Sequence, residues 1–206
     1  MTDVEVPSRL DVSRETIARL LVFKDLLLKW NTAINLISPT TTDDVWTRHV
    51  IDSAQVFQFS QNDWANWVDL GSGGGLPGVI VAIMDPGSRP VTLVESDQRK
   101  CQFLQTVRRA LDLNLHIENL RIDQFDAGSG FDALSARALA PVDQLVSYAD
   151  RLLRSNGRAY LPKGATYQQE LDQAAVKWQF DLETHVSVTD PNARILEISR
   201  IRRREP

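Results

Sequence analysis

Val68-Asp69-Leu70-Gly71-Ser72-Gly73-Gly74-Gly75-Leu76-Pro77-Gly78 decides how this chain folds. An apolar run enters the stretch and a helical pattern leaves it, with Pro77 suited to the first turn of that helix. Five glycines fall within eight positions at the strand end. Glycine lets a chain turn tightly and lets a ligand approach the backbone. The helix that follows offers free N–H groups and a positive dipole end. In open α/β sheets, ligands bind at this carboxyl edge of the strands.

Working outward, short branched runs at 67–70, 91–95, 115–118, 131–136 and 158–161 alternate with helical stretches at 76–84, 97–111, 141–154 and 165–178. Such alternation predicts a mostly parallel sheet covered on both faces. The runs at 180–189 and 195–201 flank Asp190-Pro191-Asn192, a turn sequence, and predict an antiparallel pair closing one edge. Upstream, 13–36 reads as a helix capped by Ser13, with Ile17, Leu20, Leu21, Leu27 and Leu28 at helical spacing and Phe23, Leu26 and Trp30 broadening that apolar face. A second helix starts near Thr42, and Ser60-Gln61-Asn62-Asp63 reads as a polar turn. The expected architecture is an N-terminal helical element over 1–62 docked on a Rossmann-like α/β domain over 63–206.

The composition excludes several classes. With 43% apolar and 24% charged residues among 206, the chain is neither disordered nor fibrous. Its single cysteine, Cys101, rules out an internal disulfide, and three scattered histidines do not suggest a structural zinc site, so no metal is expected. The acidic opening MTDVEVPSRLDVSRE is not read as a signal peptide, and no apolar run reaches the ~20 residues of a membrane span. A cytoplasmic location is expected. A net charge of −4 argues against coating nucleic acid by bulk charge, but a local basic site remains compatible with it.

Two cofactor classes fit the glycine loop. The register Gly71, Gly73, Gly75 led by Asp69 follows the D-x-G-x-G-x-G of S-adenosylmethionine enzymes. The register Gly73, Gly75, Gly78 follows the dinucleotide fingerprint of oxidoreductases. The glycines alone do not decide between them. Glu95 ends the second strand 24 residues after Gly71, near the ~20-residue interval of an acid that accepts ribose hydroxyls.

Beyond these features the chain resembles the RsmG family, also called glucose-inhibited division protein B. The marks are Trp30-Asn31 through Asn35-Leu36, Arg48-His49 with Asp52-Ser53, Asp69 to Gly78, Val94-Glu95-Ser96 with Arg99-Lys100-Cys101, Ser135-Ala136-Arg137-Ala138, and Lys163-Gly164. The resemblance implies a class I S-adenosylmethionine-dependent methyltransferase sandwich. It implies methyl transfer to N7 of a guanine in the 530 loop of 16S rRNA, with the small subunit or its precursor as partner and a monomer as the working unit. Carried over by position, cofactor contacts fall on Gly71 and Leu76 of the loop, on Ile122 and Asp123 after the third strand, and on Arg137 after the fourth. Asp123 stands where the family usually has Glu, and Pro162 precedes Lys163 where a non-proline apolar residue is commoner.

The chemistry completes the expectations. Guanine N7 bears a lone pair and no proton, so no general base is needed. Arg137 and Lys163, at the ends of strands four and five, are read as orienting cofactor and RNA phosphate or the guanine O6 edge. His49 reads as a packed, hydrogen-bonded histidine on a helix face, with the resemblance pointing toward the site. Arg48 and Asp52 are spaced for an i, i+4 pair. Asn35 is read as bracing the glycine loop, and Cys101 as core. Arg108-Arg109 and Arg200, Arg202, Arg203 and Arg204 supply two basic clusters for RNA.

Overall fold

The computed structural model describes residues 12–60 and 63–205. The opening segment read for targeting signals therefore lies outside the described residues, apart from its last positions, as do Gln61 and Asn62 of the polar turn.

Helix α1 spans Arg14–Asn31, and its Ser13 cap accepts a hydrogen bond from the Thr16 amide. It ends five residues before the apolar pattern does. The reason is Asn31, whose side-chain oxygen accepts the amides of Leu36 and Ile37 at 2.9 and 3.0 Å and folds the chain back. The second helical region is not one regular helix. A 3₁₀ turn over Pro39–Asp44 leads into a π-helical turn over Trp46–Ile51, and only then into α2, Asp52–Phe59. The wider π turn brings Arg48, His49 and Asp52 to the same cleft.

The alternating part forms β1 (Trp67–Leu70), α3 (Gly78–Met84), β2 (Val91–Val94), α4 (Gln98–Leu111), β3 (Leu115–Glu118), β4 (Phe131–Ala136), α5 (Val142–Leu152), β5 (Leu153–Lys163), α6 (Tyr167–Lys177), β6 (Trp178–Val186) and β7 (Arg194–Arg203). The seven strands run in the order β3-β2-β1-β4-β5-β7-β6. The first five are parallel; β7 is antiparallel to both β5 and β6. This is the expected sandwich with an antiparallel edge. Strand order reverses between β1 and β4, which places the ligand crevice at their carboxyl ends.

Two apolar clusters cover the two faces of the sheet. On one, Leu20, Phe23 and Leu27 of α1 share a core with Ile80, Phe103 and Leu104. On the other, α5 and α6 pack Leu145, Val146 and Leu171 against Leu134, Leu161 and Leu196. The connection between β6 and β7 is longer than the three-residue turn that the sequence suggests. After one more bond between the strands, from the Ser187 amide to Ala193 O at 3.2 Å, the connection lies against the N-terminal helical region, to which Ser187, Val188 and Thr189 bond.

The register also separates the basic residues. Arg194 pairs with Lys163 at the carboxyl end of β5, while Arg203 pairs with Trp178 at the far end of the sheet. Arg108 donates to the Leu115 carbonyl at the start of β3. Both arginine clusters read from the sequence thus lie toward the edge opposite the glycine loop.

Candidate functional site

The glycine loop takes its shape from β1, β2 and the residue beneath it. The amides of Gly71 and Ser72 donate to the Val94 carbonyl at 2.9 and 3.2 Å, and Gly75 N–H donates to Ser72 O at 2.6 Å. Gly71, Gly73 and Gly75 all have left-handed backbones, which L side chains rarely adopt. Asp69 lies fully buried under the loop. Its Oδ1 accepts the Ser135 hydroxyl at 2.6 Å, and Ser135 in turn accepts the indole N–H of Trp67. Burial pushes the Asp69 carboxyl up to about 6, against the opposing hydrogen bonds. Asp69 therefore holds the loop from below. A Cβ on Gly78 would lie 2.6 Å from the Asp69 Cβ, so this glycine is required for helix α3 to seat there. Pro77 stands at the cap of α3, and Leu76 is buried beside it.

Glu95 closes the loop from the neighbouring strand. Its two carboxylate oxygens accept the amides of Gly73 and Asp97 at 2.9 and 2.8 Å. A carboxylate offers about four lone-pair sites, so two remain for hydroxyl donors. Asn119 clamps the same strand end by donating to the carbonyls of Glu95 and Ser96, and the buried Cys101 thiol donates to Glu95 O. Burial, reinforced by the charges of Glu95 and Asp97, pushes that thiol up to about 11, as suits a core cysteine. Asn35 is exposed; Leu27 and Leu36 pack on Gly74 in the bracing position assigned to it. Ile122 and Asp123 lie in a 3₁₀ turn after β3. Arg151 pins that turn through the carbonyls of Ile122 and Phe125, with Ile122 half-buried and Asp123 exposed.

Beside the loop, at the ends of β4 and β5, lies a cleft of about 430 Å³ lined by Arg137, Lys163, His49, Asp52, Thr189 and Arg194, among others. The backbone turns left-handed at Ala138. Leu139 then folds against Gly71, where a Cβ would come within 2.7 Å of its Cδ1. Leu139 thus follows the Arg137 end of the cleft and packs on the loop, so the two adjoin along the carboxyl edge of the sheet.

Arg137 is held by three groups. Its Nη1 donates to the Arg48 carbonyl and to Asp52 Oδ2, both at 3.2 Å, and its Nη2 donates to His49 Nδ1 at 2.7 Å. An accepting Nδ1 puts the His49 proton on Nε2, which lies 2.8 Å from the Thr41 hydroxyl; that hydroxyl donates onward to Ser38 O. Burial and then the Arg137 charge hold the imidazole down at about 4, so it is neutral at ordinary pH. The expected hydrogen bonding of His49 is present, but the side chain lines the cleft, on the side to which the resemblance points, and does not sit in the core. The i, i+4 pair between Arg48 and Asp52 does not form among the described residues, because Arg137 takes the carboxylate.

Lys163 donates to Ala140 O at 2.9 Å and pairs with Glu170 at 2.6 Å. The same Oε2 of Glu170 also accepts the Val142 amide at 3.0 Å. An ammonium carries three donors, and the third is left for a ligand. Likewise two of the five guanidinium N–H groups of Arg137 remain. Sequence reasoning missed Thr189, Arg194, Glu170 and Leu139. No local pattern marks them: Thr189, Arg194 and Glu170 reach the cleft from other elements, and Leu139 packs on Gly71 across the sheet edge.

The GidB family, described as rRNA small subunit methyltransferase G, matches residues 16–198. The chain is 46% identical over 206 residues to the ribosomal RNA small subunit methyltransferase G of Ruegeria sp. (strain TM1040), covering 98% of this chain and all of that one. It is 48% identical over 198 residues to the protein of the same name from Paracoccus denitrificans (strain Pd 1222), covering 94% and 99%. Among solved structures it resembles the O-methyltransferase TomG from Streptomyces achromogenes in complex with SAM (TM-score 0.61, 10% identity, 93% of each chain). It also resembles the O-methyltransferase from Bacillus cereus in complex with SAH (TM-score 0.58, 13% identity, 86% and 90%). At these identities the likeness concerns the fold.

Proposed function

The chain belongs to the rRNA small subunit methyltransferase G family, and from that premise we propose that it transfers a methyl group from S-adenosylmethionine to N7 of a guanine in the 530 loop of 16S rRNA. The observation that supports this reading is two neighbouring features on one sheet edge: a glycine cradle with an acid at its rim, and a cationic cleft next to it.

The residues present fit the cofactor. A Cβ on Gly73 would meet only the Gly71 carbonyl, at 3.7 Å, so the loop is open on that side to close approach. Glu95 keeps lone pairs for ribose hydroxyls at the adjoining strand end, and the pinned Ile122–Gln124 turn offers an apolar side chain and an acid for the adenine end. This assigns Gly71, Gly73, Gly75, Leu76, Glu95, Ile122, Asp123 and Arg137 to cofactor binding; Asp69, which the sequence also pointed to as a cofactor contact, is fully buried with its Oδ1 on Ser135 and serves from beneath the loop instead. When bound, S-adenosylmethionine supplies an electrophilic methyl on a sulfonium, which the N7 lone pair can take without losing a proton.

The residues of the chain then position, neutralise and exclude water. The His49 network supports a reaction without a general base. Its Nδ1 lone pair is already committed to Arg137 and its Nε2 proton to Thr41, which leaves nothing to abstract a proton. Arg137 and Lys163, with donors to spare, suit phosphate or the guanine O6 edge. Asp52 beside Arg137 offsets positive charge as the purine becomes cationic. The base must leave its stack to reach this edge. The working unit in this reading is a monomer. No helix among the described residues is long and apolar enough to cross a membrane, and action on the small subunit or its precursor fits a cytoplasmic enzyme.

The decisive experiment is mass spectrometry of rRNA digests from cells with and without this chain. Loss of one 7-methylguanosine is the expected result; an identical nucleoside map would discard the substrate assignment. Comparing protein-free rRNA with assembled subunits separates the two substrate forms, and faster reaction on subunits is expected because the arginine clusters at 108–109 and 200–204 lie away from the cleft and cannot help it hold naked RNA.

A further inference from the structure

The fully buried Gln55 and its neighbour Asp52 use nearly all their polar capacity on two distant parts of the chain. Gln55 Nε2 donates to Asp52 Oδ1 and to the Ser187 hydroxyl, both at 3.0 Å, and its Oε1 accepts the Val188 amide at 2.9 Å. Asp52 Oδ1 also accepts the Thr189 hydroxyl at 2.8 Å, while Oδ2 accepts Arg137. One carboxylate and one amide thereby tie α2 to residues 187–189 and, through the same carboxylate, to the end of β4. The tied loop is a wall of the cleft, ending at Arg194.

Such an arrangement is costly unless it has a use. A buried glutamine without its partners loses on the order of 1–3 kcal/mol per unsatisfied group. An apolar side chain would fill the space under the loop without that liability. The bonds it makes lie outside the β6–β7 ladder, which the Ser187 amide extends by one bond to Ala193 O at 3.2 Å, and they hold the connection against the helical region.

We infer that Asp52 and Gln55 are positioning residues: they latch the β6–β7 loop as the RNA-facing wall of the cleft and set the Arg137 guanidinium from the same network. The inference rests on the proposed rRNA reading for its kinetic consequence, but the latch itself is a structural claim. The loop end of the latch governs how RNA is seated. The Arg137 end governs alignment during transfer, where a displacement near 1 Å can cost about 100-fold.

The test compares wild type with Thr189→Val, Thr189→Ser and Asp52→Asn. Thr189→Val removes the hydroxyl at nearly constant volume, touches only the loop end, and is expected to raise KM for small subunits by about 10-fold with kcat little changed. Thr189→Ser restores the donor and should return KM to the wild-type value. Asp52→Asn disturbs both ends and is expected to lower kcat as well, by about 10–100-fold. Calorimetric affinity for S-adenosylhomocysteine should stay within about twofold in the Thr189 variants. Hydrogen–deuterium exchange reads the latch without RNA: amides 187–194 should exchange faster in Thr189→Val and Asp52→Asn, with β1 and β4 unchanged. Unaltered exchange in that segment overturns the latch. Faster exchange with wild-type KM and kcat overturns its role in seating RNA. A wild-type enzyme that methylates no rRNA overturns the proposed function and the seating role together, while the exchange experiment still decides the latch.

Discussion

The glycine loop permits a controlled prediction, because the same substitution at two positions two residues apart meets different surroundings. Gly73→Ala and Gly75→Ala both force a left-handed backbone on an L residue, at about 1–2 kcal/mol each. At Gly73 the new methyl meets nothing closer than a carbonyl oxygen at 3.7 Å, so the backbone cost stands alone. At Gly75 it would lie 2.5 Å from Val79 Cγ2, 3.1 Å from Val79 Cβ and 3.2 Å from Leu104 Cδ2. Val79 and Leu104 are both fully buried, and valine has one strongly preferred rotamer in a helix, so the neighbours cannot swing aside. Overpacking of this kind adds about 1–3 kcal/mol. Gly75→Ala should therefore lose about 2–5 kcal/mol and Gly73→Ala about 1–2 kcal/mol in urea unfolding. Cofactor binding should not follow stability. Gly73→Ala places its methyl on the open side of the cradle and should weaken S-adenosylhomocysteine binding at least about tenfold by calorimetry, near 1.4 kcal/mol. Equal loss of stability in the two variants would refute the packing argument. An unchanged dissociation constant in Gly73→Ala would mean that the ligand does not lie on that side of the loop.

Glu95→Ala should also weaken the cofactor at least about tenfold, since it removes the ribose acceptor and strips the Gly73 and Asp97 amides of theirs; unaltered calorimetry would move the ribose elsewhere. His49, held at about 4, binds fewer protons folded than unfolded between pH 4 and 6.5, so its contribution to stability is present above 6.5 and is lost as pH falls toward 4. An NMR titration of its ring protons should show a midpoint near 4, with methyl transfer declining on the same acid limb; a midpoint between 6 and 7 would contradict its burial against Arg137. Asp69 has the opposite sign for a carboxylate. Raised to about 6, it binds more protons folded than unfolded, so stability falls as pH rises from about 4 to 6 and levels off above. The ceiling is about 3 kcal/mol. Asp69→Asn should flatten that part of the urea-derived stability curve, and identical pH dependence in both proteins would show that the carboxyl is not titrating there.

The sequence by itself determined the elements whose causes are local. Strand-helix alternation, the glycines with Asp69 before them and Glu95 after the next strand predict the sheet, its ligand edge and the cradle. Each of these signals lies within about thirty residues of chain, or follows from the period of side chains in one strand or helix. Helix ends were less legible, because a single side chain such as Asn31 can end α1 while the apolar pattern runs on. Only the tertiary structure decided the cationic cleft. His49 meets Arg137 across 88 positions, and Asp52 meets Thr189 across 137. Which arginines face the glycine loop depends on the direction of β7 in the sheet, and that direction places Arg194 at the site and Arg203 far from it. Spacing along a chain carries no record of such meetings. They arise when hydrophobic packing brings the strand ends to one edge, and the polar groups gathered there must then find partners among themselves.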